Sequence, residues 1–306
     1  MMVKQFLKDL LNKHGSLRAV VYYVRNPSVL ERDVCGWFYR RALLAKNVDG
    51  LDPVTKHPER VVVSLTSYGK RLSAVHLTIR SLMKQTRKPE KIVLWLNAEN
   101  EAVNLPAALK DLEDYGLDIR YGCEDLKGHK KYFWALREYS DACVITVDDD
   151  VIYPADTIES LMVAHRRYPE AVVGRRVHRI VAKEGELSPY AEWEFEWHEG
   201  DSPRNDLLAT GVGGVLYPPH CFGEQAFDLG SIMSTGLGND DLWLKANELI
   251  EGRLVAWAPC SRIHPYVIVE DQDEGLCDSN VHAGGNDRSI RAIEKALGVS
   301  FLACAS

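Results

Sequence analysis

From residue 61 to residue 147, short β-branched or apolar runs alternate with stretches of helical periodicity, a pattern that only a small set of folds can accommodate. Residues 61–65 (VVVSL) form the first run, a polar turn covers 66–70, and a helix is predicted over 73–85. Strands are then expected at 92–96, 117–121 and 143–147, with a helix at 129–139 before the last of them. Consecutive apolar residues, rather than alternating ones, mark strands covered on both faces, which is the habit of parallel sheets. The expected fold is therefore α/β, a Rossmann-like, mostly parallel sheet flanked by helices. Ligands of such sheets gather beyond the carboxyl ends of the strands, so the residues just after each run hold the functional information. Residues 1–58 read as a helical N-terminal extension, and 59–306 as one domain with halves at 59–155 and 156–306.

Composition narrows the function. Hydrophobic residues make up 46% and charged residues 26% of the 306, enough for a full core without covalent help. The seven cysteines are scattered and include no C-x-x-C pair, which disfavours a disulfide framework or a zinc knuckle and suits a reducing cytoplasm. No run approaches the roughly 20 apolar residues of a membrane-spanning helix. The net charge is -7, and the acidic surplus falls after residue 60, so general nucleic-acid binding is disfavoured. Residues 3–12 (VKQFLKDLLN) pattern as a basic amphipathic helix, which either packs on its own domain or allows peripheral contact with the inner face of a membrane.

Asp148, Asp149 and Asp150 follow the run at 143–147. Three carboxylates at one strand end repel each other, and a divalent cation both neutralises them and accepts their hard oxygen ligands. A solvated acidic turn is the other reading. The triplet resembles the D-x-D motif of GT-A glycosyltransferases, and the likeness runs in order across roughly residues 60–290, with bacterial family 2-like enzymes as the nearest pattern. The resemblance implies a Mn2+ or Mg2+ ion on Asp150 with Asp148, Asp148 near the donor ribose, and Asp149 in the variable place. It makes 59–155 the nucleotide-binding half and 156–306 the acceptor-binding half. Residues 66–71 (TSYGKR) and the end of the following helix, 79–86 (IRSLMKQT), look like that family's first loop and its S-L-x-x-Q-T segment. Thr66 and Tyr68 are then candidates for base or ribose, Arg71 for the diphosphate and Asn97 for the base. Residues 127–131 (KGHKK) place Lys130 and Lys131 at a helix start, where they either approach the donor phosphates or form a solvated face.

In the second half, residues 210–218 (TGVGGVLYP) suggest backbone packed closely against a flat or bulky partner, with Gly213 and Gly214 as donor contacts, or else a bulge that serves only the fold. Residues 238–243 (GNDDLW) open a helix and resemble the family's x-E-D motif, with Asp240 in the place of Glu; the resemblance makes Asp241 the general base. The plain reading of an Asp there is a helix cap. Residues 258–264 (APCSRIH) look like the P-C-S-R-V-G-H segment of polypeptide N-acetylgalactosaminyltransferases, shortened by one residue, which makes His264 a candidate metal ligand and His282 the reserve. Residues 192–199 (EWEFEWHE) alternate acidic and aromatic side chains, and Trp193, Trp197 and Trp243 are candidates for the acceptor sugar.

The resemblance thus implies a hexosyl transfer from a nucleotide-diphosphate sugar, a UDP-sugar favoured, to a glycan or lipid-linked acceptor such as a bacterial surface polysaccharide, with inversion favoured. Two alternatives stay open: a nucleotidyltransferase acting on sugar phosphates, whose first loop would be richer in glycine, and a non-catalytic carbohydrate-binding protein.

Overall fold

A computed structural model describes residues 27–45, 50–51, 58–98, 105–259, 266–268 and 284–305. The predicted helix at 3–12, His264 and His282 lie outside the described residues.

Among the described residues thirteen strands appear in chain order: β1 Val61–Thr66, β2 Lys91–Asn97, β3 Leu117–Cys123, β4 Cys143–Thr146, β5 Val151–Ile152, β6 Val172–Gly174, β7 Val177–Arg179, β8 Ala182–Lys183, β9 Glu186–Leu187, β10 Leu207–Ala209, β11 Val215–Tyr217, β12 Val255–Trp257 and β13 Tyr266–Val267. Seven of them build the central sheet in the order β12-β6-β11-β4-β1-β2-β3. β1 pairs in parallel with β2 and β4, β2 with β3, and β6 with β12; β11 alone runs against its neighbours β4 and β6. The mostly parallel α/β sheet is as expected.

Alternation along β1 shows why its run is apolar throughout. Val61, Val63 and Leu65 enter one core with Val75, Ile79 and Leu82 from the helix Val75–Met83 and Ile158, Leu161 and Met162 from Thr157–Arg167. Val62 faces the other way, against Val93, Trp95, Ala135, Tyr139 and Val144. Full burial of one such side chain is worth about 1.5–3 kcal/mol. A second core, built on Leu242, Trp243 and Leu244 of the helix Asp240–Ile250, joins β7, β10, β11 and the C-terminal helix Gly285–Leu297. The helix Pro27–Ala45 packs through Leu43 on Ala74 and Leu77. The helix expected over 129–139 is instead broken into the short turns Lys130–Phe133 and Ala135–Glu138. No helix among the described residues is long and apolar enough to cross a membrane.

The helix Val75–Met83 carries a buried polar line that continues past its end: Thr78, Ser81 and Gln85 lie on one face at helical spacing. Thr78 Oγ1 donates to the Asp149 carbonyl at 2.8 Å, and Ser81 Oγ accepts from the Tyr153 N–H at 3.0 Å. Gln85 donates to the Pro154 carbonyl at 2.7 Å and accepts from the Ile158 N–H at 3.0 Å. Buried backbone groups of the acidic segment are thereby satisfied outside any ladder. The Gln-Thr ending of this helix is a clamp on the chain that carries the carboxylates.

Candidate active site

Because β11 is antiparallel, the glycine turn before it arrives at the same sheet edge as the carboxyl ends of β1, β2, β4, β6 and β12. That edge collects Ser67, Asn97, the acidic triplet, Arg175 and Arg176, and the turn Gly211–Gly213. It meets there the first turn of the helix Asp240–Ile250, whose cap is Asn239: its Oδ1 accepts from the Leu242 N–H at 3.1 Å. Asp240 and Asp241 are thus relieved of the capping role that a helix start would otherwise suggest.

Lys131 links the acidic triplet to this helix start. Its ammonium lies 2.8 Å from Asp148 Oδ1 and 2.9 Å from Asp240 Oδ2. Burial opposes the charge, but Asp148, Asp240 and Asp241 outweigh it and hold the amine protonated well above the ordinary lysine range. Asp240 answers with a lowered pKa: burial pushes against ionisation, and Lys131 and His129 overcome it. Asp241 accepts the Gly211 N–H at 3.1 Å, yet burial and the neighbouring Asp240 push its carboxyl up to about 8. Two adjacent carboxylates are split in this way into one held charged and one that keeps its proton up to about pH 8 in the free protein.

The triplet is divided as well. Asp149, assigned as a donor contact in the variable place, is only 6% exposed and turns inward: Ser67 Oγ donates to it at 2.6 Å and Arg71 at 2.9 Å. Burial raises its pKa against the pull of Arg71. Arg71 also reaches Asp150 Oδ2 at 3.2 Å, so the guanidinium expected at a diphosphate braces the acidic loop. Asp148 and Asp150 remain partly exposed. Burial and the like charge of Asp148 lift the Asp150 carboxyl to about 6. Hard carboxylate oxygens that repel one another suit Mg2+ or Mn2+, which commonly takes one or two protein carboxylates and completes its shell from phosphates and water. Among the described residues no group of three or more His, Cys, Asp or Glu is arranged to hold a metal.

Other assigned contacts sit differently. Thr66 Oγ1 donates to the Trp95 carbonyl at 2.8 Å, and Tyr68 is exposed with Arg71 5.5 Å from its ring centre. Lys130 is buried against Asn97, with Asp125 3.4 Å away, and Lys131 is buried as well, so the two do not form a solvated face. Trp193, Trp197 and Trp243 are 3%, 7% and 0% exposed and belong to the second core, which removes them from the acceptor assignment. Their large apolar area is what that core needs, and Phe195 is the exposed aromatic of the segment.

The glycine turn packs as closely as foreseen, although against the protein itself. A Cβ on Gly211 would stand 2.6 Å from Lys131 Nζ and 2.9 Å from Asp148 Oδ1; on Gly213 it would meet the Arg176 backbone nitrogen and Cβ at 2.8 Å, while Gly214 takes a positive φ of +86°. Gly213→Ala is therefore expected to destabilise the fold by about 1–3 kcal/mol through forced backbone movement, as read by denaturant unfolding. Unchanged stability would show that the turn is free to shift. Arg176 was not singled out from the sequence. The signal available was its position just after a short Val-Val-Gly run, at a strand end like that of the triplet.

No family model matches the chain, and no curated protein matches it. Among solved structures, it is similar to the mannosyltransferase PcManGT from Pyrobaculum calidifontis in complex with GDP-Man and Mn2+, at 15% identity and a TM-score of 0.49 over 92% of this chain and 76% of that one. It is also similar to the inositol-1-phosphate CTP transferase from T. maritima, at 11% identity and a TM-score of 0.39 over 80% of this chain and 100% of that one.

Proposed function

We propose that the chain is a metal-dependent glycosyltransferase of the GT-A type, which transfers a hexosyl group from a nucleotide-diphosphate sugar, a UDP-sugar favoured, to a hydroxyl of a glycan or lipid-linked acceptor with inversion. The observation that carries this reading is the pairing, through Lys131, of Asp148 at the end of β4 with the Asp240-Asp241 helix start. Donor-side and acceptor-side carboxylates meet there across one buried ammonium.

In this reading Asp148 and Asp150 would hold Mn2+ or Mg2+, which when bound neutralises charge on the departing diphosphate. Arg71, through Asp149 and Asp150, keeps the acidic loop in one conformation. Asp241 takes the proton of the acceptor hydroxyl while that oxygen bonds to the anomeric carbon and the nucleotide diphosphate leaves with the bonding electrons. Its pKa of about 8 in the free protein makes the ionised form, which predominates above that pH, a stronger base than an ordinary carboxylate. The Gly211 N–H fixes one of its oxygens.

The same carboxylate argues against nucleotidyl transfer. A sugar phosphate is already anionic at neutral pH and needs no base to attack, whereas a hydroxyl does. The test is nucleotide release from UDP-, GDP- and CMP-sugars with Mn2+, with Mg2+ and with chelator, for the natural protein and Asp150→Ala. Metal-dependent turnover of one donor that Asp150→Ala abolishes is the expected result. If no nucleotide sugar binds the folded protein with metal present, the glycosyltransferase reading falls and passive carbohydrate binding takes its place.

A further inference from the structure

Beyond β6 the chain runs through Arg175 and Arg176, and the two side chains part. Arg175 turns into the protein, where it donates to Thr157 Oγ1 and lies 3.4 Å from Asp156. Arg176 stays 25% exposed, with Nε 3.1 Å from Glu196 Oε1 and NH1 donating to Thr210 Oγ1 at 3.1 Å. Thr210 directly precedes Gly211, whose N–H is on Asp241, so the guanidinium is linked to the proposed base through these two residues.

This pair is built rather than incidental. The Thr210 N–H donates to the Arg176 carbonyl at 3.0 Å, and the missing side chain of Gly213 admits the Arg176 backbone. Glu196 has a φ of +56°, in the left-handed region that a residue with a side chain adopts only when its surroundings hold it there. Its N–H donates to His178 Nδ1 at 3.0 Å. Burial and Arg176 push the pKa of His178 down to about 3, so this imidazole is neutral and accepts at any ordinary pH.

We propose that Arg176 and Glu196 form an acceptor subsite that reads two neighbouring hydroxyls of a neutral pyranose, and so select a neutral sugar terminus over a uronic acid or a sugar phosphate. The inference rests on the glycosyl-transfer reading for its place in the reaction. Its chemistry rests on the pair alone. A guanidinium beside a carboxylate offers donors and acceptors side by side at zero net charge, which matches hydroxyls that both donate and accept. Because Glu196 already neutralises the Arg176 guanidinium, an anionic terminus gains no net attraction there. Trp193 and Trp197, which flank Glu196 in sequence, anchor this segment in the core and leave Glu196, 28% exposed, at the edge.

The test is ligand-observed NMR titration of the full chain, with UDP and Mn2+ present, using methyl glycosides of neutral hexoses, methyl glucuronide and glucose 1-phosphate as probes. Binding is read without turnover, so failure here is distinct from failure to release nucleotide from any donor, which would sink the glycosyltransferase reading instead. A neutral methyl glycoside should bind most tightly, and Glu196→Gln and Arg176→Lys should each weaken it about tenfold, the loss of one hydrogen bond to a charged group. In transfer assays that loss should fall on the KM for the glycoside more than on kcat. If Arg176→Lys does not fold, Glu196→Gln decides alone. Preference for the anionic probes, binding unchanged in the variants, or no binding of any neutral glycoside would each overturn the proposal.

Discussion

Asp241→Asn is expected to lower sugar transfer by about 10²–10⁴-fold, the usual worth of a positioned general base, with nucleotide-sugar binding retained. Asparagine is close in shape and its oxygen can still accept the Gly211 N–H, so the loss would be one of proton acceptance. In the natural protein kcat/KM should climb with pH and level off above about 8, where the free carboxyl has ionised, and the slope should vanish in the variant. Stability should move the other way. The unfolded chain releases this proton near 3.8 and the folded chain only near about 8, so ionising Asp241 costs folding free energy as pH rises between those values. Removing the charge should therefore leave the melting temperature at pH 8 unchanged or higher. A variant that keeps its transfer rate would take the base role away from Asp241.

Lys131→Met should be the most damaging single change to the fold of the site. The side chain is buried and its ammonium is the common counter-charge of Asp148, Asp240 and Asp241. Removing one partner from a buried ionic group leaves the others uncompensated, a loss of about 3–5 kcal/mol, and transfer should be lost with it. The penalty is electrostatic, so it should shrink at pH 5, where the stranded carboxyls take up protons, and be full at pH 8. Denaturant unfolding at the two pH values measures both. A deficit that ignores pH would point to lost packing of the lysine stem and against the ionic bridge. Lys131→Arg tests space as well as charge, because the glycine at 211 leaves little room beyond the ammonium.

These two residues differ in how visible they were beforehand. Asp241 stands out in the sequence only through the resemblance of GNDDLW to the x-E-D motif, against the plain reading of a helix cap, and the structure gives the capping to Asn239. Lys131 could be placed near the site but given the wrong task. From sequence, a lysine in KGHKK has the same chance of facing a phosphate as of facing solvent, and what it faces is a pair of carboxylates, one of them more than a hundred residues downstream. The tryptophans failed for a related reason. A large aromatic has the same chemistry under a sugar ring as in a core, and only burial tells the two apart.

The sequence by itself determined the layered α/β architecture, because consecutive β-branched residues are stable only between two covered faces, and it determined that the carboxylates stand at a strand end. It also carried the polar line of Thr78, Ser81 and Gln85, since helical spacing alone puts them on one face. Tertiary structure alone decided which charges meet: Arg71 with Asp149 and Asp150, Lys131 with Asp148 and Asp240, Arg176 with Glu196. Ion pairing of this kind depends on distances of a few ångströms between segments far apart in the chain, and those distances are set by the order of the strands and the reversal of β11.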